Sequence, residues 1–354
     1  MDSEGSLDTH AVKSIERRLS HANLSLNRDV HVMNIQQKPS TPIAEAEAAH
    51  GMPWRDTIGD SDKEEPLLYM PFFEWQLEHM KATLTNLQVD DSSLADFGHN
   101  ANHEKKARIV SQCYKSDEYR KIRMTYYDAG DNTQVFNSVW YPDPKYNLPV
   151  LGIDLLSFNR KKYLAIVDFQ PLYENEEDHA ATFEHRLAPI KDKYESLKGR
   201  MSAKFYDETQ FFSQQMLFAR FEDEKIVQDD LFPAFKRYVK MHNRLIKETE
   251  PDEENQDAVL DRQRAYDTYS AERDPATGLF ANMFGKEWAD EYVFDFLFSM
   301  SERKEGGLQI PPMFGGPPPG AAAGGNPHAG TGGGNPYAVK PPQGAKQPEI
   351  AVAK

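Results

Sequence analysis

The chain has 354 residues and sets 41 Lys and Arg against 56 Asp and Glu, a formal net charge of −15. An acidic balance of that size argues against broad nucleic-acid binding. A single cysteine, Cys113, excludes an internal disulfide, a cysteine-based zinc site and a conventional iron–sulfur site, so any redox chemistry would take its electrons from a bound cofactor or a partner protein.

Residues 1–66 read as a polar leader with breakers at Pro39, Pro42, Gly51, Pro53 and Gly59, and a short basic helix fits 13–24. Its early acids, Asp2, Glu4, Asp8 and Glu16, depart from the acid-poor composition of organelle transit peptides. Residues 67–304 form one compact unit. Its first pattern, 70–87, places Phe73, Leu77, Met80, Leu84 and Leu87 at helical spacing. Four strands follow. In 121–127, Ile122, Met124 and Tyr126 share one face; 133–141, 149–158 and 163–170 complete the set. The turns between them are short, which favours antiparallel hairpins. Residues 176–200 read as helical and 210–221 as a further strand, after which 228–247, 257–272, 278–284 and 286–298 read as helices. Strands first and helices after predict an α/β/α sandwich with a mostly antiparallel central sheet. Residues 305–354, rich in Gly, Pro and Ala, bury too little apolar surface to offset ordering and read as a disordered tail. No run of about 18 apolar residues occurs, so no membrane span is expected.

Dinucleotide, Walker A, zincin and nucleophile-elbow motifs are absent. His99 and His103 lie four residues apart in a stretch read as loop, and no metal site is expected there. The chemistry-bearing residues are polar groups in apolar runs. Asp154 interrupts Val150-Leu-Gly-Ile-Asp-Leu-Leu156, which reads as an interior strand. A carboxyl there finds a partner or takes a raised pKa, and a protonated one can serve as an acid. The residues leave both roles open: structural hydrogen bonding or proton donation. Asn137, on the preceding strand, either satisfies a neighbouring backbone group or belongs to a site. Asp274, in Ala271-Glu-Arg-Asp-Pro275, either caps the next helix or faces a ligand. The 20 Phe, 16 Tyr and 4 Trp suit a packed interior or a flat conjugated ligand.

Taken together, Asp128-Ala-Gly-Asp131, Gln134-Val-Phe-Asn-Ser-Val139, Leu148-Pro-Val-Leu-Gly-Ile-Asp-Leu-Leu156, Val167-Asp-Phe-Gln-Pro-Leu172, Tyr269-Ser-Ala-Glu-Arg-Asp-Pro-Ala276 and Phe284-Gly-Lys-Glu-Trp288 resemble the ferredoxin-dependent bilin reductases. The resemblance runs from about residue 72 to 298. It implies an enzyme with no bound cofactor that takes single electrons from reduced ferredoxin and passes its bilin through radical intermediates. Asp154 and Asp274 fall on the family's two catalytic aspartates, Asn137 on the site floor, and Arg220 on an arginine that pairs a bilin propionate through its planar fork. The four-electron, phycocyanobilin-forming members carry glutamate and histidine where this chain has Thr125 and Asn137, and a propionate-binding lysine where it has Pro275. The motifs look most like the members that reduce biliverdin by two electrons at the 15,16 methine bridge. A-ring reduction, giving phycoerythrobilin or phytochromobilin, and a non-catalytic bilin carrier are the alternatives. A following bilin reductase is an implied partner. The implied setting is the plastid in a eukaryote and the cytoplasm otherwise. Because ferredoxin is acidic, a basic rim is expected among Lys105, Lys106, Arg108, Lys115, Arg120, Lys121, Arg160, Lys161 and Lys162.

Overall fold

The computed structural model describes residues 67–90, 94–172, 177–201 and 210–303. The predicted leader, its basic helix and the Gly/Pro tail lie outside the described residues.

Eight strands form one antiparallel sheet: β1 (Gln88–Val89), β2 (His99–Asn102), β3 (Ala107–Lys115), β4 (Tyr119–Asp128), β5 (Thr133–Pro142), β6 (Val150–Phe158), β7 (Lys162–Gln170) and β8 (Leu217–Phe221). The order is β1-β3-β4-β5-β6-β7-β8, and β2 pairs with β3 as well. Short turns between β3 and β7 make each neighbour in sequence a neighbour in space. One of them, between β6 and β7, places Asn159 and Arg160 in the left-handed region, with φ of 53° and 45°.

Helices cover both faces. On one side lie α1 (Met70–Thr83), α3 (Glu177–Ala181), α4 (Glu184–Lys191) and α5 (Phe232–Glu248), and α2 (Leu94–Phe97) lies beside the β2–β3 edge. Phe72 packs 4.6 Å from Phe232 and 5.2 Å from Phe235, and Phe136 brings the sheet against Phe73 and Phe235. On the other side lie α6 (Gln256–Arg273), α7 (Ala276–Phe284), α8 (Lys286–Glu291) and a π-helical segment, Tyr292–Leu297. This is the three-layer sandwich the sequence predicts, with more strands than its pattern revealed.

The differences have local causes. The helix predicted over 70–87 stops at Thr83, where the Thr83 hydroxyl bonds back to the His79 carbonyl and Asn86 turns the chain at φ 51°. Residues 176–200 break into α3, α4 and a 3₁₀ turn, with Pro189 inside α4. The strand predicted over 210–221 shrinks to β8: Phe211 lies at φ 59°, and a turn closed by the Met216 amide on the Ser213 carbonyl at 3.3 Å precedes the strand. His99 opens a strand rather than sitting in a loop. Among the residues expected on a basic rim, Lys121 is buried, its ammonium bonding the Phe296 carbonyl at 2.6 Å, and Arg108 is buried against Asp128 at 3.4 Å. Arg160 is held by Glu224 at 2.9 Å with its side chain 6% exposed. These three cations serve the fold. Lys105, Lys106, Lys115, Lys161 and Lys162 are exposed. No described helix is long and apolar enough to cross a membrane.

Phe72 is fully buried where α1, α5 and the sheet meet. Phe72→Ala is expected to destabilise the fold by about 3–5 kcal/mol, through lost burial and the cavity left behind. A lowered urea midpoint with an unchanged m-value would show it.

Candidate active site

A cavity of about 680 Å³ lies between the sheet and the α6–α7 layer. That is a size suited to a sizeable organic ligand. Antiparallel pairing fixes what forms its floor, because paired residues project to the same face. Thr125, Asn137, Asp154, Ile166 and Phe218 form one row across β4 to β8. Two residues along, Tyr127, Val135, Leu156, Leu164 and Arg220 form the next. The helical layer contributes Tyr266, Tyr269, Asp274, Leu279 and Phe280 to the opposite wall.

Asp154 is the centre of the floor. Asn137 donates from Nδ2 to its Oδ1 at 3.1 Å. Burial pushes the Asp154 carboxyl up to about 7; the charge of Asp274 adds to the rise, and the Asn137 hydrogen bond and Arg123 oppose it. Its residual exposure is to the cavity it lines. Asp274 follows α6, and its Oδ1 accepts from the Ala276 amide at 2.8 Å, so the side chain caps the first turn of α7 while lining the cavity. Burial raises its pKa too. Arg220 lines the β8 end of the floor, its guanidinium 5.1 Å from the Phe218 ring. All four residues singled out from the sequence therefore line one cavity, Asn137 and Asp154 in contact on the floor, Arg220 at its β8 end and Asp274 on the helical wall.

Sequence reasoning missed the groups that shape the far wall. Gln170 lies across Gly152 so closely that a Cβ there would sit 2.2 Å from Gln170 Oε1. That same oxygen accepts from the Tyr266 hydroxyl at 2.6 Å, tying α6 to the sheet. Beside it, buried Phe211 packs 5.6 Å from Tyr266 and 5.2 Å from Tyr269. Two residues on, the chain is anchored by Asp168, whose carboxyl accepts from the Ser213 amide at 2.8 Å and the Ser213 hydroxyl at 2.5 Å. Asp168 stands in an apolar strand, Lys162–Gln170, just as Asp154 does in Val150–Phe158, and that shared anomaly was the available signal.

A family model described as ferredoxin-dependent bilin reductase matches residues 77–299. The chain belongs to that family. It is 44% identical over 194 residues to a 15,16-dihydrobiliverdin:ferredoxin oxidoreductase of Nostoc punctiforme, covering 54% of this chain and 79% of that one. It is 37% identical over 233 residues to the enzyme of the same name from Gloeobacter violaceus, covering 65% and 95%. Among solved structures, tomato phytochromobilin synthase in complex with biliverdin superposes with a TM-score of 0.60 at 20% identity, over 66% of this chain and 83% of that one, which shows a shared fold.

Two measurements follow for this bilin reductase. Gly152→Ala must displace Gln170 and break its bond to Tyr266, at a cost of roughly 1–3 kcal/mol; thermal melts would report it. Asp154 holds its proton to about pH 7 in the fold, well above an unfolded carboxyl near 3.9. The folded protein therefore binds more protons than the unfolded chain between those values, and this contribution to stability is full below pH ~4 and lost as pH rises through ~7. Asp154→Asn removes the contribution, so the fall in Tm from pH 5 to pH 8 is expected to be shallower in the variant than in the parent.

Proposed function

We infer that this chain catalyses ferredoxin-dependent, two-electron reduction of biliverdin IXα at the 15,16 methine bridge, giving 15,16-dihydrobiliverdin. The observation that carries the chemistry is a single carboxyl, Asp154, held near neutral pKa on the floor of a cavity large enough for a tetrapyrrole. The choice of bond is supported by the relatives of that name, which share 36–44% identity with it. Asn137 in place of a histidine, and Thr125 in place of a glutamate, also separate it from four-electron chemistry.

Reducing one carbon–carbon double bond takes two electrons and two protons. Reduced ferredoxin supplies the electrons one at a time, and the bilin carries the unpaired electron between transfers. Asp154 supplies a proton in its neutral form. Asp274 supplies or positions the second from the helical wall. Arg220 suits a propionate, since a guanidinium at the cavity margin meets a carboxylate with two parallel hydrogen bonds. Apolar and aromatic groups make up most of the remaining lining, which suits a flat conjugated ligand. The exposed lysines, Lys105, Lys106, Lys115, Lys161 and Lys162, are the candidates for ferredoxin contact, and Lys162 stands at the cavity itself. A plastid or cyanobacterial cytoplasm would hold both the ferredoxin and a following bilin reductase to take the product.

The test is anaerobic incubation with biliverdin and a ferredoxin-reducing system, with the product identified by chromatography. Formation of 15,16-dihydrobiliverdin is the expected result; turnover of supplied dihydrobiliverdin but not of biliverdin would move the activity to the A ring. Asp154→Asn is expected to bind biliverdin and to lose roughly 10²–10⁴ in turnover, the usual contribution of a positioned acid.

A further inference from the structure

Arg123 is almost wholly buried, at 1% exposure, yet among the described residues no carboxylate lies within ion-pairing distance of it. Its hydrogen bonds go to neutral groups. Nε donates to the Leu297 carbonyl at 3.1 Å, and Nη1 donates to Asn137 Oδ1 at 2.5 Å; the guanidinium also lies 5.3 Å from the Phe298 ring. A buried cation spent on a neutral amide needs an explanation. The next link supplies it, because Asn137 Nδ2 donates to Asp154 Oδ1.

A guanidinium only donates, so the Asn137 atom facing it must be the carbonyl oxygen. The amide nitrogen then has one place to point, towards Asp154. Asp154 Oδ1 is thereby committed as an acceptor, and in the neutral acid the proton resides on Oδ2. Without Arg123 the amide is free to turn over. Its oxygen would then accept the acid proton and hold it away from the bilin.

We propose that Arg123 is a positioning residue that, through Asn137, fixes the acid proton of Asp154 on the oxygen facing away from the amide. This rests on the reading of Asp154 as the proton donor. A purely structural role competes with it. Lys121 and Arg123 both cap carbonyls where the Tyr292–Leu297 segment ends, Lys121 at Phe296 and Arg123 at Leu297, and only Arg123 also reaches Asn137. The charged groups lining the cavity with Asp154 are Arg123, Lys162, Arg220 and Glu222 from the sheet side and Asp274 from the helical side. The other titratable lining groups are Tyr127, Tyr163, Tyr266 and Tyr269. Of all these, Asp274 and Arg123 act on the Asp154 carboxyl, in opposite directions.

The experiment is single-turnover reduction of bound biliverdin across pH by the full chain with Arg123→Met, Arg123→Lys, Lys121→Met and Asp154→Asn. Arg123→Met is expected to lower the plateau rate by about 10–100-fold, the scale of a misoriented catalytic group, with little change in biliverdin affinity. Because the lost cation favoured the carboxylate, the same variant should retain its acid to higher pH, moving the decline in rate upward. Arg123→Lys keeps the charge but not the fork; it should lose rate without moving the decline, and it guards against Arg123→Met failing to fold. Lys121→Met should melt earlier and keep the parental pH profile. The proposal is overturned if the Arg123 variants match the parent, or if they merely melt earlier as Lys121→Met does. Full turnover by Asp154→Asn would instead remove the acid assignment beneath it, a result separable from failure at Arg123.

Discussion

An interior strand of a sheet covered on both faces offers a carboxyl group no bulk water. Asp154 has hydrogen-bonded neighbours on β5 and β7, helices beyond each face, and solvent only through the cavity. An ionised carboxylate in such a place needs a cation at contact distance or several donors. Asn137 provides one neutral donor, and Arg123 stands one residue further off. The carboxyl answers by keeping its proton, and a stored proton beside a space for a large flat ligand is what the proposed reaction requires.

The same requirement explains why the third layer is attached as it is. Tyr141 on β5 donates to Asp267 on α6 at 2.7 Å, Tyr266 on α6 donates to Gln170 on β7, and Lys121 and Arg123 on β4 hold the carbonyls at the end of the last helical segment. These directional links stand beside apolar contacts: Tyr266 and Tyr269 of α6 cluster with Val139, Tyr141 and Phe211, and Tyr292, Val293 and Phe296 join the buried core that also includes Phe72, Phe136 and Phe235. Apolar packing across the site would have filled it. Apolar clusters to either side and the hydrogen bonds beside them set the spacing of the layers and leave room between them.

The fold was legible wherever one face of an element contrasted with the other. Strands over 121–127, 133–141, 149–158 and 163–170 showed themselves by alternation or by apolar runs between turns. β3, Ala-Arg-Ile-Val-Ser-Gln-Cys-Tyr-Lys, did not, because eight of its nine residues are buried whatever their polarity and no alternation survives. Lys121 misled for the related reason that a polar residue opposite an apolar stripe reads as a solvent face; here that face is roofed by helices. Asp154 and Asn137 were legible as polar interruptions, and family motifs brought in Asp274 and Arg220. The lock between Gly152, Gln170 and Tyr266 was not, since its meaning depends on a close approach between elements far apart in the chain.

The proton inventory of the cavity suits two successive transfers better than one. Both Asp154 and Asp274 are pushed upward by burial, and a charge on Asp274 raises Asp154 further. Coupling of this kind is reciprocal: once either carboxyl ionises, the other holds its proton more tightly. In the proposed reaction the first electron makes the bilin basic enough to take one proton, and the anion left behind then withholds the second. That proton moves only when another electron has raised the basicity of the bilin again. In that proposal, two carboxyls coupled across a low-dielectric cavity would keep proton transfer in step with single-electron delivery, which a lone acid recharged from solvent would not do.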